Sequence, residues 1–90
     1  MEVEVRIYKR VETTVEDKYT INIPDNVKDI EEYLKENFKS LNNIQDEDNV
    51  TFDESNIFWA MESGEDDTLL NQEMYYGENL IIREIYDNIN

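Results

Sequence analysis

Apolar and polar residues alternate along the first part of the chain. In "EVEVRIYKR", Val3, Val5 and Ile7 fall on one side of an extended chain and Glu2, Glu4, Arg6 and Tyr8 on the other, the period of a half-buried strand. "TVEDKYTINIP" repeats the pattern, with Val15, Tyr19, Ile21 and Ile23 at odd positions. The two runs predict an antiparallel hairpin turning near Val11–Thr14, although no Gly or Pro marks the turn. After Pro24 the period changes. Val27, Ile30, Leu34, Phe38 and Leu41 of "DNVKDIEEYLKENFKSL" follow a helical stripe. Asp25 or Asn26 is placed to cap this helix, with acidic residues early and Lys35 and Lys39 late, as the helix dipole favours. Glu31 and Glu32 precede the two lysines at spacings suited to surface ion pairs.

Beyond the helix the pattern is less regular. "NNIQDED" reads as an exposed connection, and "VTFDE" and "NIFWAME" as two strands or one bent strand, followed by a loop at "SGEDD". "TLLNQEMYY", residues 68–76, fits a short helix or a strand. "GEN" then turns the chain into "LIIREIYD", a final strand. The expected fold is α+β: an antiparallel β-sheet of about four strands with one main amphipathic helix on a face, in the order β-β-α-β-(short element)-β. Ninety residues leave room for one core, so residues 1–90 are expected to form a single domain. Hydrophobic residues make up 39% of the chain and aromatics 11%, too many for a disordered acidic tail.

Charge changes the picture because it is unevenly placed. The net charge is −15; residues 1–39 hold seven bases and ten acids, residues 40–90 one base, Arg83, and thirteen acids. Between Lys39 and Arg83 lie 43 residues with eleven carboxylates and no basic group: Asp46, Glu47, Asp48, Asp53, Glu54, Glu62, Glu65, Asp66, Asp67, Glu73 and Glu78. Such a field repels nucleic acid and anionic membranes and attracts basic protein surfaces. The expected partner is therefore a cationic protein (a basic nucleic-acid-binding protein if the carboxylates stand in for phosphates), and direct nucleic-acid binding is not expected.

Other chemistry fits poorly. With no cysteine and no histidine, disulfides, thiolate zinc sites and the common base and nucleophile arrangements are missing. Only Gly64 and Gly77 are present, so there is no Walker loop or dinucleotide fingerprint. "DEDNVTFDE" departs from a calcium loop: Val50 stands where a third oxygen ligand belongs, and no Gly follows at the sharp turn. "ESGEDD" reads as a solvated loop rather than a weak calcium site. No enzyme activity, cofactor or metal is expected. The start lacks the apolar core of a signal peptide, and no apolar run approaches the roughly 20 residues needed to cross a bilayer; a cytoplasmic location is expected.

Two readings of the acidic stretch stay open. It is a solubilising surface, or its carboxylates stand in for nucleic-acid phosphates. Carboxylates at alternate strand positions lie about 6.6 Å apart, about two phosphate rises of 3.4 Å. A solubilising surface normally mixes signs, because charge of one sign repels itself; this stretch does not. Its aromatics add contact area. Trp59 reads as core, while Tyr75 and Tyr76, as neighbours on a strand, would point to opposite faces and leave one available as an interface anchor.

In size and charge the chain resembles the small acidic DNA-mimic inhibitors of phages and mobile elements, including some anti-CRISPR proteins. Its opening, "EVEVRIYKR…KYTINIPDNVKDIEEYLKENF", looks like that of many small phage-encoded proteins. The resemblance rests on character rather than on a motif, so no site residue carries over. It implies a function: blocking the nucleic-acid groove of a bacterial host defence protein such as a CRISPR effector or a restriction nuclease. The alternative is a regulatory or adaptor module, such as an antitoxin or subunit-binding protein, that mimics nothing. Either would act as a monomer or homodimer.

Overall fold

The alternating runs at the start of the chain form two paired strands, β1 (Glu2–Arg10) and β2 (Thr14–Asn22), in register from Glu2 opposite Asn22 to Arg10 opposite Thr14. The structure, a computed structural model, describes residues 1–10, 14–42, 44–59 and 70–86, and for residues 58 and 59 the backbone alone. The expected turn near Val11–Thr14 therefore falls largely outside the described residues. Val3, Val5 and Ile7 of β1 and Tyr19, Ile21 and Ile23 from β2 onward are buried on one face. That face carries the core.

Helix α1 (Ile30–Asn37) packs over this face. It is shorter than the apolar stripe suggests, and its cap is Asp29 rather than Asp25 or Asn26. The Glu32 backbone N–H donates to Asp29 Oδ1 at 3.1 Å, and Glu31 and Glu32 fill the acidic first turn. Pro24 explains the delay: the Val27 N–H donates to its carbonyl at 3.2 Å, closing a turn ahead of the helix. At the other end the chain leaves the helix at Phe38. Phe38, Leu41 and Ile44 are all buried, so the predicted apolar stripe is realised partly by irregular chain. The expected ion pairs of Glu31 and Glu32 with Lys35 and Lys39 are not formed. Glu31 instead accepts from Asn79 Nδ2 at 2.8 Å.

A single 3-10 turn, Ile44–Asp46, leads to β3 (Val50–Trp59), β4 (Asn71–Tyr76) and β5 (Asn79–Ile85). The sheet is antiparallel with the order β3-β2-β1-β4-β5. It has five strands where about four were expected. "VTFDE" and "NIFW" belong to one strand, and the ambiguous segment supplies β4, which inserts between β1 and β5. Period decides in favour of the strand here: Gln72 and Met74 lie in line with Lys9 and Ile7 on the core-bearing face, and both are buried. Gln72 Nε2 donates to Asn42 Oδ1 at 2.7 Å and to the Tyr86 hydroxyl at 3.0 Å, tying β4 to the chain after the helix.

Of three irregularities in register among the described residues, two redirect described side chains. Met74 pairs with Ile82 but Tyr75 with Leu80, so Ile81 is extra, and both Ile81 and Ile82 reach the core. Tyr19 pairs with Phe52 but Lys18 with Glu54, leaving Asp53 as the extra residue on β3. The turn between β4 and β5 contains Gly77 and Glu78, with Gly77 at φ 61° and Glu78 not at positive φ, the two-residue hairpin that needs glycine first. Among the described residues no helix is long and apolar enough to cross a membrane.

Candidate functional site

The face of the sheet opposite α1 is polar, as the even positions of β1 and β2 require. Glu2, Glu4, Arg6 and Tyr8 of β1 stand beside Glu16, Lys18 and Thr20 of β2. Tyr75 and Glu73 of β4 flank Arg6 and Tyr8 on the other side.

Two carboxylates are buried within this face, Glu16 and Glu73, and the strand bases gather round them. Glu16 accepts from the Tyr8 hydroxyl at 2.6 Å and lies 3.9 Å from Arg6 and 4.0 Å from Lys18. Glu73 accepts from Arg83 Nε at 2.8 Å and lies 4.0 Å from Arg10. On the core-bearing face, buried Asp17 is 3.3 Å from Lys9 Nζ. Burial of a carboxylate is tolerable only with such partners. Five of the eight bases are thus engaged by three buried acids, and across the whole sequence three lysines remain against twenty other carboxylates.

Arg6 is held at the centre of this arrangement. Its guanidinium donates to the Tyr8 hydroxyl at 3.1 Å and also to the Gly77 carbonyl. It lies 5.8 Å from the Tyr8 ring centre and 5.7 Å from that of Tyr75, within cation–π range. The two rings meet edge to face at 5.4 Å. Burial, reinforced by the hydrogen bond to Glu16, raises the Tyr8 pKa above its ordinary value.

Toward the start of β1 the same face becomes acidic. An open cleft there is lined by Glu2, Glu4, Asp53, Glu54 and Glu78 together with Arg6 and Lys18, and it reaches past the sheet to Ile30 of α1. All five carboxylates are exposed. Lys18 pairs with Glu54 at 3.2 Å, and the Thr20 hydroxyl donates to Asp53 at 2.7 Å. Glu2, Glu4 and Glu78 form no ion pair among the described residues. The extra residue on β3 creates this grouping: in a regular strand Asp53 and Glu54 would point to opposite faces, whereas here one meets Thr20 and the other Lys18.

The structure brings together some of the acids singled out in the sequence. Asp53, Glu54 and Glu78 share the cleft. Asp46, Glu47 and Asp48 are exposed at the entry to β3. Glu73 is not a surface acid at all: it is buried under two arginines, one of them the single base of the second half of the chain. Glu62, Glu65, Asp66 and Asp67 lie outside the described residues, as does the side chain of Trp59. Tyr75 and Tyr76 do point to opposite faces, but both are half-buried: Tyr75 packs on Arg6 and Tyr8, and Tyr76 on the core. The window without Lys or Arg left out Glu2 and Glu4. Their signal was present in the alternation of β1, which sets both on the polar face.

Among the described residues no group of three or more acidic side chains is disposed to hold a metal ion. Comparison with models of known protein families, with curated protein sequences and with solved structures finds no match for this chain.

Proposed function

We propose that the protein is a non-enzymatic inhibitor that presents carboxylates in place of nucleic-acid phosphates. It blocks the basic DNA- or RNA-binding site of a host defence nuclease, of the CRISPR or restriction type, within a bacterial cell. One observation carries the reading: the five strand bases, themselves partly exposed, lie beside buried Glu16, Asp17 and Glu73, while Glu2, Glu4 and Glu78 stand exposed and without ion pairs at one cleft. A surface shaped for solubility alone gains from leaving bases among its acids. Glu2 and Glu4, two residues apart on one face, have the alternate-position spacing of about 6.6 Å, close to two phosphate rises. Asp53 and Glu54 extend the charge across the sheet to its edge.

The test is to titrate the protein into a purified CRISPR effector or restriction nuclease and follow the binding of labelled duplex DNA. DNA should be displaced at low salt, with the effect fading as the Debye length shrinks from about 10 Å at 0.1 M to 3 Å at 1 M. A series of such nucleases that all keep their DNA at low salt, with the protein in large excess, rejects the proposal. The adaptor reading is favoured by a different observation, the exposed edge strand β3 with Phe52 and Ile57.

A further inference from the structure

We propose that β3 is a docking edge for an extended, basic segment of a partner protein, which joins the sheet as an added strand. This inference does not depend on phosphate mimicry, since main-chain pairing asks nothing of the partner's nucleic-acid site.

Strand β3 ends the sheet: it pairs with β2 on one side and with no strand on the other among the described residues. A strand in that position carries a row of backbone donors and acceptors that can accept another chain. At ten residues β3 is the longest strand. Thr51 to Ser55 are all exposed, as is Ile57. Natural edges are blunted by charge, proline or bulges; β3 has no lysine or proline, and its charges, Asp53 and Glu54, are both acidic and sit at a register irregularity, which selects for a basic partner strand.

The opposite edge, β5, is tied to the helix layer through its side chains. Its first residue, Asn79, is bonded to Glu31 of α1, and Glu84 near its end accepts the Leu41 N–H at 2.9 Å. The helix and the chain that follows it therefore flank β5.

The side chains of β3 specify what can join it. Phe52 is 51% exposed and Ile57 69%, and Phe52 is held in place edge-on against Tyr19 at 5.5 Å. These offer apolar contact on one face of the strand. Asp53 and Glu54 lie on the other face, with Asp46, Glu47 and Asp48 just ahead, and no base occurs in the sequence from residue 40 to residue 82. An incoming strand that alternates Lys or Arg with Val or Ile would meet acids on one face and apolar groups on the other. A second copy of the protein is selected against, because antiparallel self-pairing of β3 brings two sets of Asp53 and Glu54 near one another with no base on either strand, and like charges so placed repel.

The experiment uses a synthetic decapeptide of alternating Lys and Val and two analogues N-methylated at alternate residues, one for each register. All three keep the same charge. The unmodified peptide should bind and slow amide exchange within residues 50–57, and at least one N-methylated analogue should bind tenfold or more weakly. The inference is overturned if both analogues bind as tightly as the parent, since charge alone would then explain binding. Protection confined to residues 79–85, no binding at low salt, or a free protein that already self-associates through residues 50–57 would also overturn it. DNA displacement from a nuclease is read separately, so failure here leaves the phosphate reading standing, and strand addition without DNA displacement rejects that reading alone.

Discussion

Glu2, Glu4 and Glu78 line one cleft without ion pairs among the described residues, so replacing all three by glutamine should stabilise the fold while weakening partner binding. The magnitude follows from spacing. Same-face neighbours on a strand are about 7 Å apart and groups two strands away about 10 Å. In water, charges at those separations repel by about 0.6 and 0.4 kcal/mol before screening. A Debye length of about 30 Å at 0.01 M salt leaves most of this, and one of about 8 Å at physiological salt leaves less than half. Summed over the cleft carboxylates, and reduced by the attraction of Arg6 and Lys18 in the same cleft, the gain is about 1 kcal/mol at 0.01 M and about half that at 0.15 M. Urea denaturation of the native and triple-variant proteins at the two salt concentrations measures it, with an unchanged slope expected. A variant less stable than the native protein would show that these carboxylates are paired. An equal gain at both salt concentrations would show that charge is not the cause. Either result refutes the reasoning.

Leu34 is the fully buried side chain of α1, and Leu34→Ala should cost about 2–5 kcal/mol, a large part of the roughly 5–13 kcal/mol expected for a domain of this length; a urea titration showing less than 1 kcal/mol would mean the helix does not anchor there. Glu73→Ala should cost about 1–2 kcal/mol, well below the loss from a fully buried pair, because Arg10 and Arg83 are 56% and 57% exposed and can be solvated by water. Gly77→Ala should cost about 1–2 kcal/mol through backbone strain alone, since φ is +61° and an added Cβ would meet nothing within 4 Å; thermal denaturation compared with Gly77→Asn, which tolerates that region better, checks the cause. Tyr8, Tyr19 and Tyr86 all have raised pKa values, chiefly because burial disfavours the phenolate. The stability this represents is complete below the ordinary value of 10.0 and is lost as pH rises through the folded values. Urea midpoints should therefore fall above about pH 10, and fall less in Tyr8→Phe.

The parts of this fold visible in the sequence are those in which period and burial agree. The odd positions of β1 and β2 are apolar with few exceptions, and the stripe through Leu34 and Phe38 is buried whether or not the backbone is helical. Helix boundaries were less visible because two requirements compete near Pro24: the turn it begins uses Val27, and the helix must wait for Asp29 as its cap. The faces of Asp53 and Glu54 could not be read from alternation, since an extra residue on β3 overrides it. Nor could Glu73 be told from its acidic neighbours. It follows a run without bases, and only pairing with β1 and β5 brings Arg10 and Arg83 over it. Long-range register, which local pattern does not encode, decides which charges are internal and which face solvent.

The central claim is that this acidic face and a nucleic acid occupy the same surface of a basic protein. The direct measurement is a competition on one purified nuclease retained by the protein at low salt. Labelled duplex DNA is titrated at several fixed concentrations of the protein, and again with the Glu2, Glu4 and Glu78 glutamine variant. Mutual exclusion is predicted: the apparent Kd for DNA rises in proportion to free protein, no ternary complex forms, and the variant displaces DNA at least several-fold less well. A nuclease that holds the protein and its DNA together, with neither weakening the other, would contradict the account.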